Sequence, residues 1–133
     1  MFTTNMRIIT RGSVWWWKCK DNERLHIQQG IRPVVVVSND TCNKASGVIT
    51  VVPLTTKIKK PFPQQVPIIM NENVSIALAD QITSIPVDEL SSYICTLQNF
   101  QMDQIDKAIA IQLGFIDVSS RPYAPFSTES EGG

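Results

Sequence analysis

Val34-Val35-Val36-Val37 is an unbroken run of four β-branched residues. Such a run offers no polar face to water, so it predicts a strand covered on both sides rather than one lying on a surface. Two residues set how the chain enters it. Gly30 supplies a bend, and Pro33 fixes φ at the start of the strand, where a missing N–H is tolerated. Arg32 is thereby held at the lip of a buried strand, and His26, the one histidine of the chain, stands shortly before it. A fixed cation on a rigid lip is well placed to meet an anion. The combination points to a phosphate site.

Composition narrows the remaining classes. A length of 133 residues suits one domain and is short for two. With 43% hydrophobic and 18% charged residues the chain can bury a core. Twelve basic residues balance twelve acidic ones, so binding to a polyanion must rest on a local patch rather than on net charge. Cys19, Cys42 and Cys95 make an odd count without a C-x-x-C pair, which argues against a disulfide framework or a zinc site and for a reducing cytoplasm. Met1 to Gly12 has no apolar leader core, and no apolar run reaches spanning length, so neither secretion nor membrane insertion is expected.

The pattern along the chain is that of short strands and one late helix. Ser13 to Lys20 reads as a strand with tryptophans 15, 16 and 17 on both faces. Core on one side with an interface or edge cover on the other explains them better than an RNA-stacking platform, because strand aromatics usually pack. Asp21 to Gln29 reads as a polar loop, and Ser38 to Ser46 as a turn-rich connection. Gly47 to Leu54 is the next strand, with Pro53 forcing a bulge or an edge. Thr55 to Pro63 is a loop carrying Lys57, Lys59 and Lys60.

Val66 to Met70 and Ser75 to Ile85 follow as strands, the second enclosing Asp80 and Gln81, which need partners if buried. Val87 to Leu90 is a single helical turn, and Tyr93 to Leu97 a short strand. Asn99 can cap a helix through Leu113, with Met102, Ile105, Ile109 and Leu113 as its apolar stripe and Gly114 as its stop. Asp103 and Lys107 form an i,i+4 pair on its exposed side. The predicted class is α+β, mainly β: a small, strongly curved barrel with a C-terminal helix packed on it. The domain spans 1–118, and 119–133 has the composition of a disordered tail.

Four segments, in order, resemble the MazF/PemK/Kid toxins of bacterial toxin–antitoxin systems. Arg11-Gly12-Ser13-Val14-Trp15 resembles the family's opening R-G-[DE]-[IV]-[WY] strand, and His26 to Val37 its [SH]-E-Q-x-G-x-R-P-V segment. Val51-Val52-Pro53-Leu54-Thr55-Thr56 is similar to its V-P-x-T-[TS] strand end. Val74 to Ile85 is similar to its V-A-L-x-D-Q-[IV]-[KR]-[ST]-[IL] strand. Ile27 stands where the family has a glutamate, and Leu78 where some members carry a catalytic arginine. The resemblance covers roughly Arg11 to Asp117. It implies an SH3-like barrel of the MazF/PemK/CcdB type acting as a homodimer, with single-stranded RNA (messenger RNA) as substrate and a cognate antitoxin as protein partner. It implies no cofactor and no metal.

The implied reaction is attack of a ribose 2′-OH on the adjacent phosphorus, giving a 2′,3′-cyclic phosphate and a 5′-OH. It needs a proton acceptor, a donor for the leaving oxygen and cover for the phosphorane charge. The resemblance assigns Arg32, Thr55, His26 and Asp80 to catalysis, and Gln28, Thr56, Lys57, Lys59, Lys60 and Gln81 to substrate binding. Arg32 has the forked donors that two phosphate oxygens require; a structural salt bridge is its alternative. The Thr55 hydroxyl can donate to phosphate. His26 titrates in the range useful for proton transfer, or donates a hydrogen bond to phosphate. Asp80 either braces Arg32 or acts as the base, and bracing is favoured. The competing class is a non-enzymatic binding module on the same barrel, as in the gyrase poisons.

Overall fold

The computed structural model describes residues 8–19, 31–57 and 62–118. The Asp21–Gln29 loop, the tail at 119–133, and His26, Gln28, Lys59 and Lys60 lie outside the described residues. Among the described residues seven strands form one curved sheet: β1 (Ser13–Lys18), β2 (Ile31–Val36), β3 (Val48–Thr55), β4 (Gln65–Met70), β5 (Asn73–Leu78), β6 (Thr83–Pro86) and β7 (Leu90–Thr96). Their order is β4-β5-β3-β2-β1-β7, with β6 also paired to β3. Helix α1 (Asp40–Ala45) joins β2 to β3, and α2 (Asn99–Gln112) follows β7. The mainly β, α+β class is therefore as the sequence predicts.

The valine run is buried from both sides. Val35 joins Val14, Val52, Leu54, Val66 and Ala77 under α2, whose Met102, Ile105 and Ala108 close that core. Val34 and Val36 point the other way, into a second core with Trp15, Trp17, Ile49, Val51, Ile85 and Leu90. Complete burial of an aliphatic side chain stabilises by about 1.5–3 kcal/mol, and all three valines are fully enclosed. The tryptophans divide accordingly: Trp15 and Trp17 belong to the second core, whereas Trp16 lies on the opposite face and is 40% exposed.

Four expectations change. Ser75 to Ile85 is not one strand. β5 and β6 both pair with the same edge of β3, through Leu54↔Ala77 and Thr55↔Ile76 and then through Val51↔Thr83 to Val48↔Pro86. A 3₁₀ turn at Ala79–Gln81 separates them. Apolar residues resume at Ile82 and Ile85 beyond the break, and the polar pair Asp80-Gln81 is its one local sign. Asp80 and Gln81 occupy the turn, outside the ladder.

Ser38 to Ser46 contains α1, capped by the Asn39 side chain accepting from the Cys42 N–H at 2.8 Å. The cap of α2 is Gln98 rather than Asn99. Gln101 Oε1 accepts the Gln98 N–H at 3.0 Å, and its Nε2 donates to the Ile69 carbonyl at 2.9 Å, fixing the helix start to strand β4. Gly114 ends the helix with φ of 82°. Leu113, assigned to the apolar stripe, is 51% exposed; Ala108 takes the buried place instead.

Arg11 gathers the far end of the sheet. Its guanidinium forks onto Asp106 of α2 and donates to the Val37 carbonyl at 2.7 Å, while its backbone N–H donates to Asp40 Oδ1 at 2.7 Å. One residue thus ties the end of β2 to both helices, by its side chain to α2 and by its backbone to α1. Among the described residues, no helix is long and apolar enough to cross a membrane.

Candidate active site

Strands β2 and β3 run antiparallel with Val36↔Val51, Val35↔Val52 and Val34↔Pro53 in register. The odd-numbered residues of β2 aim their backbone groups at β3, as the 2.9 Å bond from the Val37 N–H to the Thr50 carbonyl shows. Pro33 is the odd-numbered residue with no N–H to give, and the paired register stops just before it. Counting that register onward puts Arg32 opposite Thr55. Alternation puts both side chains on the face of Val34, Val36 and Val51. A forked cation stands at one strand end and a hydroxyl at the other.

Arg32 is half-buried, and its side chain makes no hydrogen bond or ion pair with the described residues. A structural salt bridge with a described residue is therefore absent. Its strand position is nonetheless fixed, because its β1 partner is Trp17, which is 1% exposed and donates from Nε1 to Glu89 Oε1 at 2.9 Å. Thr55 ends β3 with its Oγ1 accepting the Lys57 N–H at 3.2 Å. That bond uses a lone pair and leaves the hydroxyl proton for a ligand. Thr56 and Lys57 are exposed beside it, and Gln81 is exposed on the 3₁₀ turn.

Among the described residues, Asp80 makes no direct hydrogen bond or ion pair with Arg32. Its Oδ2 accepts from Gln65 Nε2 at 3.1 Å, while Oδ1 is enclosed by protein without a hydrogen-bond partner. The reason is the chain break: in the 3₁₀ turn Asp80 leaves the β5 ladder and faces the first residue of β4. Gln65 is the site-related residue that sequence reasoning missed. The residue is 5% exposed, and its Oε1 also accepts the Phe62 N–H at 3.0 Å. A polar residue at the start of a strand is the only signal the sequence offers for it. Gln64 adds a 3.3 Å contact from Nε2 to Gln112 Oε1 at the end of α2.

The two described grooves lie elsewhere. They have volumes near 340 and 380 Å³ and share Ile69, Phe100 and Gln101, where β4 faces α2 and the end of β7. None of the described candidate residues lines them.

Comparison with known proteins decides the lineage. Residues 10–113 match the family model described as PemK-like, MazF-like toxin of type II toxin–antitoxin system. The chain belongs to that family. It is similar to the curated Endoribonuclease EndoA of Bacillus subtilis, 36% identical over 68% of this chain and 82% of that protein. It is also similar to the Endoribonuclease MazF of Staphylococcus saprophyticus, at 34% identity over 70% and 82%. Among solved structures, a mycobacterial endoribonuclease in complex with its cognate antitoxin superposes with a TM-score of 0.69 at 26% identity, covering 80% of this chain and 96% of that one. MazF from Deinococcus radiodurans also reaches 0.69, at 20% identity over 81% and 98%, and bears on the fold alone. This PemK/MazF-type chain thus carries Arg32 and Thr55 at the facing ends of its two central strands.

Proposed function

We propose that this PemK/MazF-type toxin is a sequence-specific, metal-independent endoribonuclease that cleaves single-stranded RNA to 2′,3′-cyclic phosphate and 5′-OH ends. The observation that carries the reading is the β2–β3 register as far as Val34↔Pro53, whose continuation sets Arg32 and Thr55 on one face. Arg32 offers two donors to the non-bridging oxygens as the phosphorane gains charge, and has no described ion pair to give up first. Thr55 donates its free hydroxyl proton to the same phosphate. His26 moves the proton, either from the 2′-OH or to the 5′ oxygen. Asp80 serves the site through Gln65 rather than as base, since one oxygen is enclosed and the other is engaged.

Gln28, Thr56, Lys57, Lys59, Lys60 and Gln81 contact the strand on either side of the scissile phosphate. An extended single strand of RNA leaves its bases free to be read by side chains. The toxin acts as a homodimer and is silenced by a cognate antitoxin that covers this surface. The antitoxin-bound mycobacterial relative supports that partner class.

The test is incubation of the pure protein with long single-stranded RNAs in EDTA, followed by mapping of the cut ends. Cuts at a recurrent short sequence, with 5′-OH ends that a polynucleotide kinase labels directly, are expected. Intact RNAs of several sequences would place the chain among the non-enzymatic binding modules instead.

A further inference from the structure

We propose that Glu89 and Trp17 are positioning residues for Arg32: the Glu89 carboxylate locks the Trp17 indole, and the locked ring limits where the guanidinium swings. This inference rests on the endoribonuclease reading and adds to it two residues that touch no substrate. Trp17 and Arg32 are register partners on β1 and β2, so their side chains leave the sheet on the same face. Side chains so opposed start about 4.5–5.5 Å apart at Cβ and are the pairs that interact within a sheet. On the other side of β1, Trp17 pairs with Leu90, the first residue of β7. Glu89 immediately precedes it, at the end of the 3₁₀ turn Val87–Glu89. From there its Oε1 accepts the Trp17 indole N–H at 2.9 Å.

A comparison of the tryptophans shows what is particular about this bond. Trp15 gives its indole N–H to the neutral Ser13 hydroxyl at 2.8 Å. Trp17 gives its own to a carboxylate, and the two residues are only 1% and 4% exposed. Taking a carboxylate out of water is costly, and an apolar side chain would fill the same space without that cost. What the carboxylate adds is a charge-assisted hydrogen bond, roughly twice as strong as a neutral one and directional enough to fix a ring. The ring matters because the Arg32 side chain makes no hydrogen bond or ion pair with the described residues. A long cation with several rotatable bonds has many ways to miss a phosphate. A fixed wall beside its stem removes some of those rotamers before RNA arrives. Such a restraint acts on the reacting geometry more than on binding, since the rest of the strand is held by other contacts.

The experiment removes each end of the bond in the full chain, with Arg32 present and with it replaced. Trp17→Phe deletes the indole N–H and keeps an aromatic wall. Glu89→Leu deletes the acceptor, and Glu89→Gln keeps it. Single-turnover cleavage of a single-stranded RNA gives the rate, anisotropy of its uncuttable 2′-O-methyl form gives Kd, and a thermal melt gives stability. Trp17→Phe and Glu89→Leu are each expected to lower the rate about tenfold with Kd within about threefold. Glu89→Gln should stay within about threefold in both. Made on top of Arg32→Ala, the two disruptive changes should lower the residual rate by less than about twofold, while lowering the melting temperature as much as they do alone.

Rate losses as large without Arg32 as with it would show a general role in the fold and overturn the proposal. So would Trp17→Phe and Glu89→Leu variants that cut as fast as wild type. Glu89→Gln as slow as Glu89→Leu overturns the lock too, because the hydrogen-bond acceptor would then not be what matters. Should Glu89→Leu not fold, Trp17→Phe carries the same comparison with and without Arg32. Wild-type protein that leaves RNAs of several sequences intact overturns the endoribonuclease reading itself, and it does so before any variant is compared.

Discussion

Arg32 stands across the β1–β2 ladder from Trp17, so a half-buried guanidinium is mounted against one of the most enclosed side chains in the protein. The backbone under the cation is rigid, while its charged head has no described partner. That separation of a fixed base from a free head has an energetic consequence. Replacing the head disturbs little of the fold and much of what the head would touch.

Arg32→Ala is therefore expected to lower the cleavage rate by about 10²–10³ while changing stability by no more than about 0.5 kcal/mol. Single-turnover cleavage and a thermal melt, run on the same preparation, check both halves. Cutting within a few-fold of wild type would move the site away from the end of β2.

Thr55 has two duties that substitution can separate. Thr55→Ala removes the proton offered to phosphate and the acceptor for the Lys57 N–H. It should lower the rate by about 10–10², less than Arg32→Ala, because a neutral donor is weaker than a charged one. Thr55→Ser keeps both functions and should stay within about threefold. Equal losses in the two variants would mean that the methyl group, not the hydroxyl, is what matters.

If His26 moves a proton, the pH–rate profile carries an ionisation in the imidazole range, and His26→Gln abolishes it. Arg32 remains charged throughout and cannot supply that ionisation. A profile left unchanged by His26→Gln would reduce the histidine to a phosphate contact.

Burial pushes the Cys95 thiol above its ordinary pKa, because the thiolate is disfavoured away from water. Alkylation of Cys95 by iodoacetamide should therefore set in at higher pH than for a free thiol, while exposed Cys42 is modified first. The sign also fixes its effect on stability. The folded state holds this proton more tightly than the unfolded chain, so the contribution is present below the ordinary thiol pKa and is lost as pH rises through the elevated one. Peptide mapping by mass spectrometry across a pH series checks the order of modification.

How much of this was legible in the chain depends on whether the information was local. Burial of Val34, Val35 and Val36 on both faces follows from their identity alone. The α2 stop at Gly114 and the strand at Ser13–Lys18 are equally local. The break at Ala79–Gln81 was barely legible, since the residues on either side keep strand-like character and, beyond the polar pair Asp80-Gln81, only the pairing of β5 and β6 with one edge of β3 exposes it. The partner of Asp80 was hidden for the same reason. Gln65 lies a hairpin away, and nothing about a glutamine announces which carboxylate it will meet. Arg32 and Thr55 were legible as motif positions. Their shared face is a property of strand register, which no single segment contains.

Register is also where the valine run has its hidden cost. Four identical residues read the same after a slip of one position, so hydrophobicity alone cannot tell β2 where to stop against its neighbours. The reference marks are the odd ones out at either end. Pro33 cannot donate to β3, and the Val37 carbonyl is held by the Arg11 fork. A strand sliding by one residue would keep nearly all of its packing yet turn Arg32 to the other face, yielding a protein that is folded and catalytically blind.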